Sequence, residues 1–290
     1  MKKSFAIIMI LIAFTISGCS NTDSTKNDTQ ESTATTSAQE QEKEQSAAEA
    51  EAAEAANQVA DIPYTVHGVP VLMYHSIAVE EGNPIRMPVE QFDSEMKYIK
   101  DQGYTTLTMK ELYSYFENQV PIPEKSIVIT LDDGYSDNYT AAFPVLKKYG
   151  LKATVFVVTS TIDVNPNCLT SAQIKEMDKA GIQIESHTVT HRDLDSLSYS
   201  EQLAELKDSK AALEKLLGRT VDYVAYPTGK YNDDTIKAVA EAGYKMAFTT
   251  NGRWSDTADG ILTLDRVYIS TFHSMDVFKN RLTNPDYPVN

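Results

Sequence analysis

Ile127-Val128-Ile129-Thr130-Leu131-Asp132-Asp133-Gly134 is an apolar, β-branched run that ends abruptly in two carboxylates and a glycine. The run reads as a strand, along which side chains alternate between faces. Asp132 and Asp133 can therefore serve one site only if the backbone turns between them, and Gly134 permits that turn. Similar short runs recur at 69–74, 153–158, 182–185, 223–226 and 245–249, separated by amphipathic helical stretches such as 89–102, 109–117 and 141–149. The clearest helix is 199–217, opened by a capping-box pattern at Ser198 and Glu201 and closed by Gly218. Strand–helix–strand repetition implies a parallel sheet, whose faces must be covered, as in an α/β barrel ringed by helices. The loops at the C-terminal ends of such strands carry chemistry, and the Asp-Asp-Gly stretch lies at one of these ends.

A second stretch, His187-Thr188-Val189-Thr190-His191, also directly follows a predicted strand. On a helical turn, residues four apart share a face and present both imidazoles to a single ion. A metal ion with an open coordination position takes about three protein ligands. Asp133, His187 and His191 would form such a His₂Asp set, which leaves Asp132 free for chemistry. A divalent cation would also relieve the repulsion between neighbouring carboxylates. Taken singly, the first stretch reads equally well as a solvated turn, and the second as an unmetallated surface pair. The chain has only five histidines, so it is the two stretches together that carry the metal reading.

The chain begins differently. Lys2 and Lys3 precede an apolar run at 5–16 that stops at Ser17-Gly18-Cys19, the shape of a secretory signal followed by a lipobox. This resembles a bacterial lipoprotein signal peptide at 1–19, and the resemblance implies a lipid on Cys19 and an extracytoplasmic protein held on the outer face of the cell membrane. The run falls short of the ~20 residues that span a bilayer. Residues 20–62 have no aromatic side chain and little that is apolar beyond alanine, so they read as a disordered acidic tether. The tether carries ten acids and two bases, and the whole chain has a net charge of −15. The domain at 63–290 is also acidic, which disfavours nucleic acid and polyanions as partners. Cys168 is the domain's single cysteine, so packing rather than an internal disulfide must hold the fold. A monomer is expected.

From 70 to 282 the chain resembles the polysaccharide deacetylases of the NodB-homology type, carbohydrate esterase family four. Their Thr-Phe-Asp-Asp-Gly signature stands here as Thr130-Leu131-Asp132-Asp133-Gly134, and their His-Ser/Thr-x-x-His signature as the stretch from His187 to His191. Phe143-Pro144-Val145-Leu146-Lys147-Lys148-Tyr149-Gly150 and Ala153-Thr154-Val155-Phe156 look like the family's link between the two. The resemblance implies a distorted (β/α)7 barrel and a divalent metal on Asp133, His187 and His191. That metal is zinc in most members, and cobalt or nickel is accepted by relatives. It further implies Asp132 as general base and a backbone N–H after the Tyr226 strand as oxyanion donor. The reaction implied is removal of N-acetyl groups from N-acetylglucosamine residues of a cell-wall or extracellular polysaccharide.

Two signatures depart from the family pattern. Where Arg-x-Pro-Tyr is usual, the chain reads Ala225-Tyr226-Pro227-Thr228, so the arginine that orients the catalytic aspartate is missing. Arg266 could replace it from another strand, with Arg253 as the second candidate. The C-terminal Leu-x-Leu-His signature is absent too. His75, in Val71-Leu72-Met73-Tyr74-His75, matches a Tyr-His feature of the exported poly-N-acetylglucosamine deacetylases and is the general-acid candidate, ahead of His273. His67 is assigned no catalytic part. Tyr135, Asp137, Asn138, Tyr231 and Trp254 are candidates for a sugar cleft. Two other functions fit the same residues: a glycan-binding wall lipoprotein with weak or no turnover, and a metal-dependent amidase acting on a peptide or small amide.

Overall fold

The structure, a computed structural model, describes residues 61–62 and 68–289. The signal-like segment, Cys19, nearly all of the tether and His67 lie outside the described residues. Seven parallel strands form the frame: β1 (Val71–Tyr74), β2 (Ser126–Leu131), β3 (Thr154–Val157), β4 (Gln183–Ser186), β5 (Tyr223–Ala225), β6 (Met246–Phe248) and β7 (Val267–Tyr268). Their spatial order is β7-β1-β2-β3-β4-β5-β6. The sheet follows chain order except that the last strand returns beside the first. Leu264, just ahead of β7, makes a parallel bridge to Phe248 in β6, and Val267 pairs with Leu72 in β1. One short segment thus joins the two ends of the sheet in a distorted (β/α)7 barrel. A short strand, Thr105–Thr106, runs parallel to the start of β2, and Asp61–Ile62 pairs antiparallel with Ile122–Pro123.

Helices cover the outside: α1 (Val89–Asp101), α2 (Met109–Asn118), α3 (Phe143–Tyr149), α4 (Ser171–Lys179), α5 (Tyr199–Leu217), α6 (Asp233–Glu241) and α7 (Met275–Thr283). Several start at caps legible in the sequence. The Ser198 side chain accepts from the Glu201 N–H at the start of α5, with the reciprocal bond also present. The Ser274 side chain accepts from the Val277 N–H at the start of α7. Among the described residues, no helix is long and apolar enough to cross a membrane.

Strand alternation divides the core in two. Ile127, Ile129 and Leu131 face outward and pack with Met96 of α1 and Leu146 of α3. Val128 faces inward with Val71, Phe156, Ala225, Phe248 and Leu264. A period of two then assigns the polar residues: Thr130 and Asp132 continue the inward face of Val128, Arg266 that of Leu264, and His75 that of Val71. Every residue of β2 is buried. Polar groups inside such a barrel must therefore find partners in one another.

Candidate metal centre and active site

Both sequence signatures leave their strands at the same end of the barrel. Asp132 still belongs to the ladder, its N–H donating to the Tyr74 carbonyl at 2.9 Å. Asp133 and Gly134 then adopt the left-handed conformation, with φ of 71° and 70°. This is the turn that lets adjacent carboxylates serve one site. A Cβ on Gly134 would also come within 3.1 Å of the Val157 side chain, so the position suits glycine twice over.

The second stretch is not a helical turn. Residues 187–191 are irregular, and Thr188 and His191 have φ of 65° and 60°. The turn is built by side chains instead: the Thr188 hydroxyl accepts from the His191 N–H at 3.2 Å, and Ser186 Oγ accepts from the Thr188 N–H at 3.2 Å. With Thr228 at φ 55°, four non-glycine residues in strained backbone lie on these catalytic-end loops, which is where strain collects around function.

Asp133 Oδ1 lies 3.5 Å from His187 Nε2 and 3.2 Å from His191 Nε2. Donor atoms of the three residues all lie within 4.8 Å of one another. His187 Nδ1 is 2.8 Å from the Ala225 carbonyl oxygen; as the donor there, it leaves Nε2, on the Asp133 side, as the atom to ligate a cation, the second-sphere arrangement usual for a ligating histidine. Two imidazole nitrogens and a carboxylate oxygen form a donor set that fits a divalent cation with an open position. Solvent reaches the site through His191 and Asp133, whose side chains are 36% and 20% exposed against 2% for His187. Burial pushes the Asp133 carboxyl up, but hydrogen bonds to His187 and His191, with charge from His187 and His75, outweigh it and hold the group well below the usual range. His191 is raised in turn by its bond to Asp133.

Beside this cluster, the Arg266 guanidinium grips Asp132 with two bonds of 2.7 Å, one to each carboxylate oxygen. The arginine is fully buried. Its Nε donates to the Thr249 carbonyl and its Nη1 also to the Thr130 hydroxyl, and it lies over the Phe156 ring at 5.6 Å. Burial pushes Asp132 up, but Arg266, with His187 and His75 adding, wins and holds it below the ordinary carboxylate value. Asp132 Oδ2 lies 4.0 Å from His187 Nε2.

His75 sits at the end of β1. Its charged neighbours are Asp132, Asp133, Arg266 and His187, and burial lowers its pKa. Its Nδ1 is buried without a hydrogen-bond partner, while its carbonyl accepts from Asn138 Nδ2 at 2.7 Å. His273 lies elsewhere: its Nδ1 accepts from the Ser270 N–H, its ring meets Tyr268 edge-on, and its charged neighbour is Arg281. Arg253 is likewise not at the site, because its Nη1 donates to the Tyr287 carbonyl.

The sugar-cleft candidates separate. Tyr135 lies beside Asp133 under the Arg86 guanidinium, 4.6 Å from its ring centre, and is pushed up to about 12 by burial and the Asp133 charge. Tyr231 is partly exposed and stacks on Tyr226. Asp137 instead pins the β1 loop, accepting from the Ile77 N–H and the Ser76 hydroxyl. Asn138 is fully buried. Trp254 lines a cavity with Gly68 and Pro70, just ahead of β1, and with Ser126, the first residue of β2, so it sits at the opposite end of the barrel. Its indole N–H donates to the Arg281 carbonyl.

The sequence reading missed Glu205 of α5, which accepts from the N–H groups of Val189 and Thr190 and from the Thr190 hydroxyl. Its signal was present: Gln202, Glu205, Leu206, Ser209 and Leu213 form the buried stripe of the helix. A carboxylate in such a stripe needs a buried partner.

The family model described as polysaccharide deacetylase matches residues 119–247. The polysaccharide deacetylase-family protein YxkH of Bacillus subtilis is 41% identical over 210 residues, 72% of this chain and 74% of its own. The poly-β-1,6-N-acetyl-D-glucosamine N-deacetylase of Staphylococcus aureus is 32% identical over 175 residues, 55% of this chain and 59% of its own. Among solved structures, the Streptococcus pyogenes deacetylase PplD in complex with acetate superposes with a TM-score of 0.72 at 36% identity, covering 75% of this chain and 99% of that one. BC0361, a polysaccharide deacetylase from Bacillus cereus, superposes with a TM-score of 0.65 at 32% identity, covering 74% and 69%.

Proposed function

The chain belongs to the polysaccharide deacetylase family, and from that premise we propose that it is a metal-dependent hydrolase removing N-acetyl groups from N-acetylglucosamine residues of a cell-wall or extracellular polysaccharide. The observation that carries this reading is the convergence of Asp133, His187 and His191 beside an Asp132 fixed by Arg266. The substrate named for the staphylococcal relative supports the choice of polymer.

Asp133, His187 and His191 would hold a divalent cation, which would supply Lewis acidity toward water and the acetamide carbonyl. Asp132, kept ionised and oriented by Arg266, takes a proton from water as the oxygen adds to the carbonyl carbon. The Thr228 N–H, on the turn after β5, is the backbone donor assigned to the developing oxyanion. Asp193 holds that turn beside His191, accepting from the Thr228 hydroxyl at 2.6 Å and pairing with Lys230 at 2.7 Å. His75 delivers a proton to the departing amine. Acetate and a glucosamine unit are the products.

Acetate release is the test, measured on poly-N-acetylglucosamine, chitooligosaccharides, peptidoglycan and acetylated peptides, with zinc, cobalt or nickel returned to metal-stripped protein. Release from one of the glycans but not from the peptides is expected, and it should fall by about a hundredfold or more in Asp132→Asn. Equal release by wild type and variant, or release from peptides alone, would overturn the reading. The same proposal puts the protein outside the cell on a lipid at Cys19. Labelled palmitate should enter the wild type and not Cys19→Ser.

A further inference from the structure

The 187–191 loop that carries His191 is itself neither helix nor strand. Two of its residues, Thr188 and His191, are in left-handed backbone, so the conformation must be imposed by neighbours. On one side, the N–H groups of Thr159 and Ser160 donate to the carbonyls of Thr188 and Val189 at 3.1 and 3.0 Å. On the other stands the buried Glu205. One of its carboxylate oxygens accepts the consecutive N–H groups of Val189 and Thr190 at 2.9 and 2.8 Å. Its second oxygen accepts the Thr190 hydroxyl, and Arg192 donates to that same oxygen at 3.3 Å.

We propose that Glu205 is a positioning residue for the metal centre: it clamps the loop between the two imidazoles in the turn that brings His191 Nε2 to Asp133. The inference rests on the metal reading above. An ionised carboxylate suits the position because it only accepts hydrogen bonds and offers two oxygens to donors from one loop. Glu205→Gln keeps the size but replaces one acceptor with an NH₂ group facing donors.

The experiment titrates zinc into metal-stripped protein against a chromophoric chelator, and records the visible spectrum of the cobalt form. Wild type, Glu205→Gln, Glu205→Ala and Leu213→Ala are compared, the last being a core truncation in the same helix. Zinc affinity should fall tenfold to a hundredfold in Glu205→Gln, with an altered cobalt spectrum. In Leu213→Ala, affinity should match wild type although Tm drops. Should Glu205→Ala fail to fold, the Gln variant still decides the matter. Unchanged zinc affinity in Glu205→Gln would overturn the inference, as would an equal loss in Leu213→Ala, which would point to general loosening. A wild type that takes up no zinc would overturn the metal reading itself and this inference with it, and that failure is distinguishable because it appears before any variant is compared.

Discussion

Arg266 and Asp132, 134 residues apart in the chain, meet inside the barrel through two hydrogen bonds of 2.7 Å that occupy both carboxylate oxygens. The family signature places its arginine on the strand that here ends at Ala225. Ala225 ends β5 and Arg266 immediately precedes β7, but both share the inward face, so the guanidinium arrives from a new direction at an unchanged target. A planar fork matched to a carboxylate fixes orientation as well as charge.

Arg266→Ala should leave a buried carboxylate unpaired and cost about 3–5 kcal/mol of unfolding free energy, measured by urea denaturation. Without the guanidinium, burial acts on Asp132 less opposed and its pKa rises. The acid limb of kcat/KM should then move to higher pH, because the base is lost to protonation sooner. Arg266→Lys keeps the charge without the fork and should fall between. A limb that stays put in both variants would remove Arg266 from the reaction.

Ala225→Arg restores the family residue but adds a large side chain to a fully buried position on the face already holding Arg266. Alone it should lower Tm and activity through overpacking. Combined with Arg266→Ala it should recover at least about tenfold of the activity lost in Arg266→Ala, about 1.4 kcal/mol of barrier. The check is a double-mutant cycle on kcat, and simple additivity would refute shared use of the space.

The two adjacent aspartates should separate cleanly. Asp132→Asn is expected to bind zinc within a few-fold of wild type while kcat falls by about 10²–10⁴, the range for a lost general base. Asp133→Asn should lose zinc binding and activity together. Calorimetric titration alongside acetate release distinguishes the two patterns.

Zinc should raise the Tm of stripped protein, since the three ligands converge only in the fold. At a hundredfold excess over Kd the gain is about 2.7 kcal/mol. His191→Ala should abolish the zinc-dependent part of the shift.

Glu95 predicts a pH effect on stability away from the site. It is buried, bonded to the Tyr74 hydroxyl at 2.8 Å and Gln91 Nε2 at 3.2 Å. Burial, only partly offset by these bonds, raises it from 4.5 to about 7. A folded pKa above the unfolded one stabilises the protonated form, so the contribution is full below pH 4.5 and lost as pH rises through 7. The loss is about 3 kcal/mol. Glu95→Gln should lack this slope. Glu185, also raised to about 7, acts in the same window in both proteins and cancels in the comparison. Parallel stability curves for wild type and variant would refute the assignment.

Six of the seven strand positions were legible because β-branched runs buried against helices leave a plain local record, and α5 because its cap and stop are local signals; β7, only Val267–Tyr268, is too short to leave one. The 187–191 loop was misread as a helical turn: a four-residue spacing suits a helix, but here the turn is made by Ser186, Thr188 and Glu205 from neighbouring elements. Trp254 shows the same limit. Residue type suggested a sugar platform, whereas chain direction through the barrel carries it to the far end.

By itself, the sequence determined the donor types and their attachment to strand ends, since those depend on composition and on a period of two along a strand. It also determined that the arginine at the usual position was gone. Which arginine serves in its place, which histidine lies beside Asp132, and what clamps His191 were decided only by tertiary structure. These are contacts between residues distant in the chain, and local preference carries no information about which remote strand or helix closes on a given face.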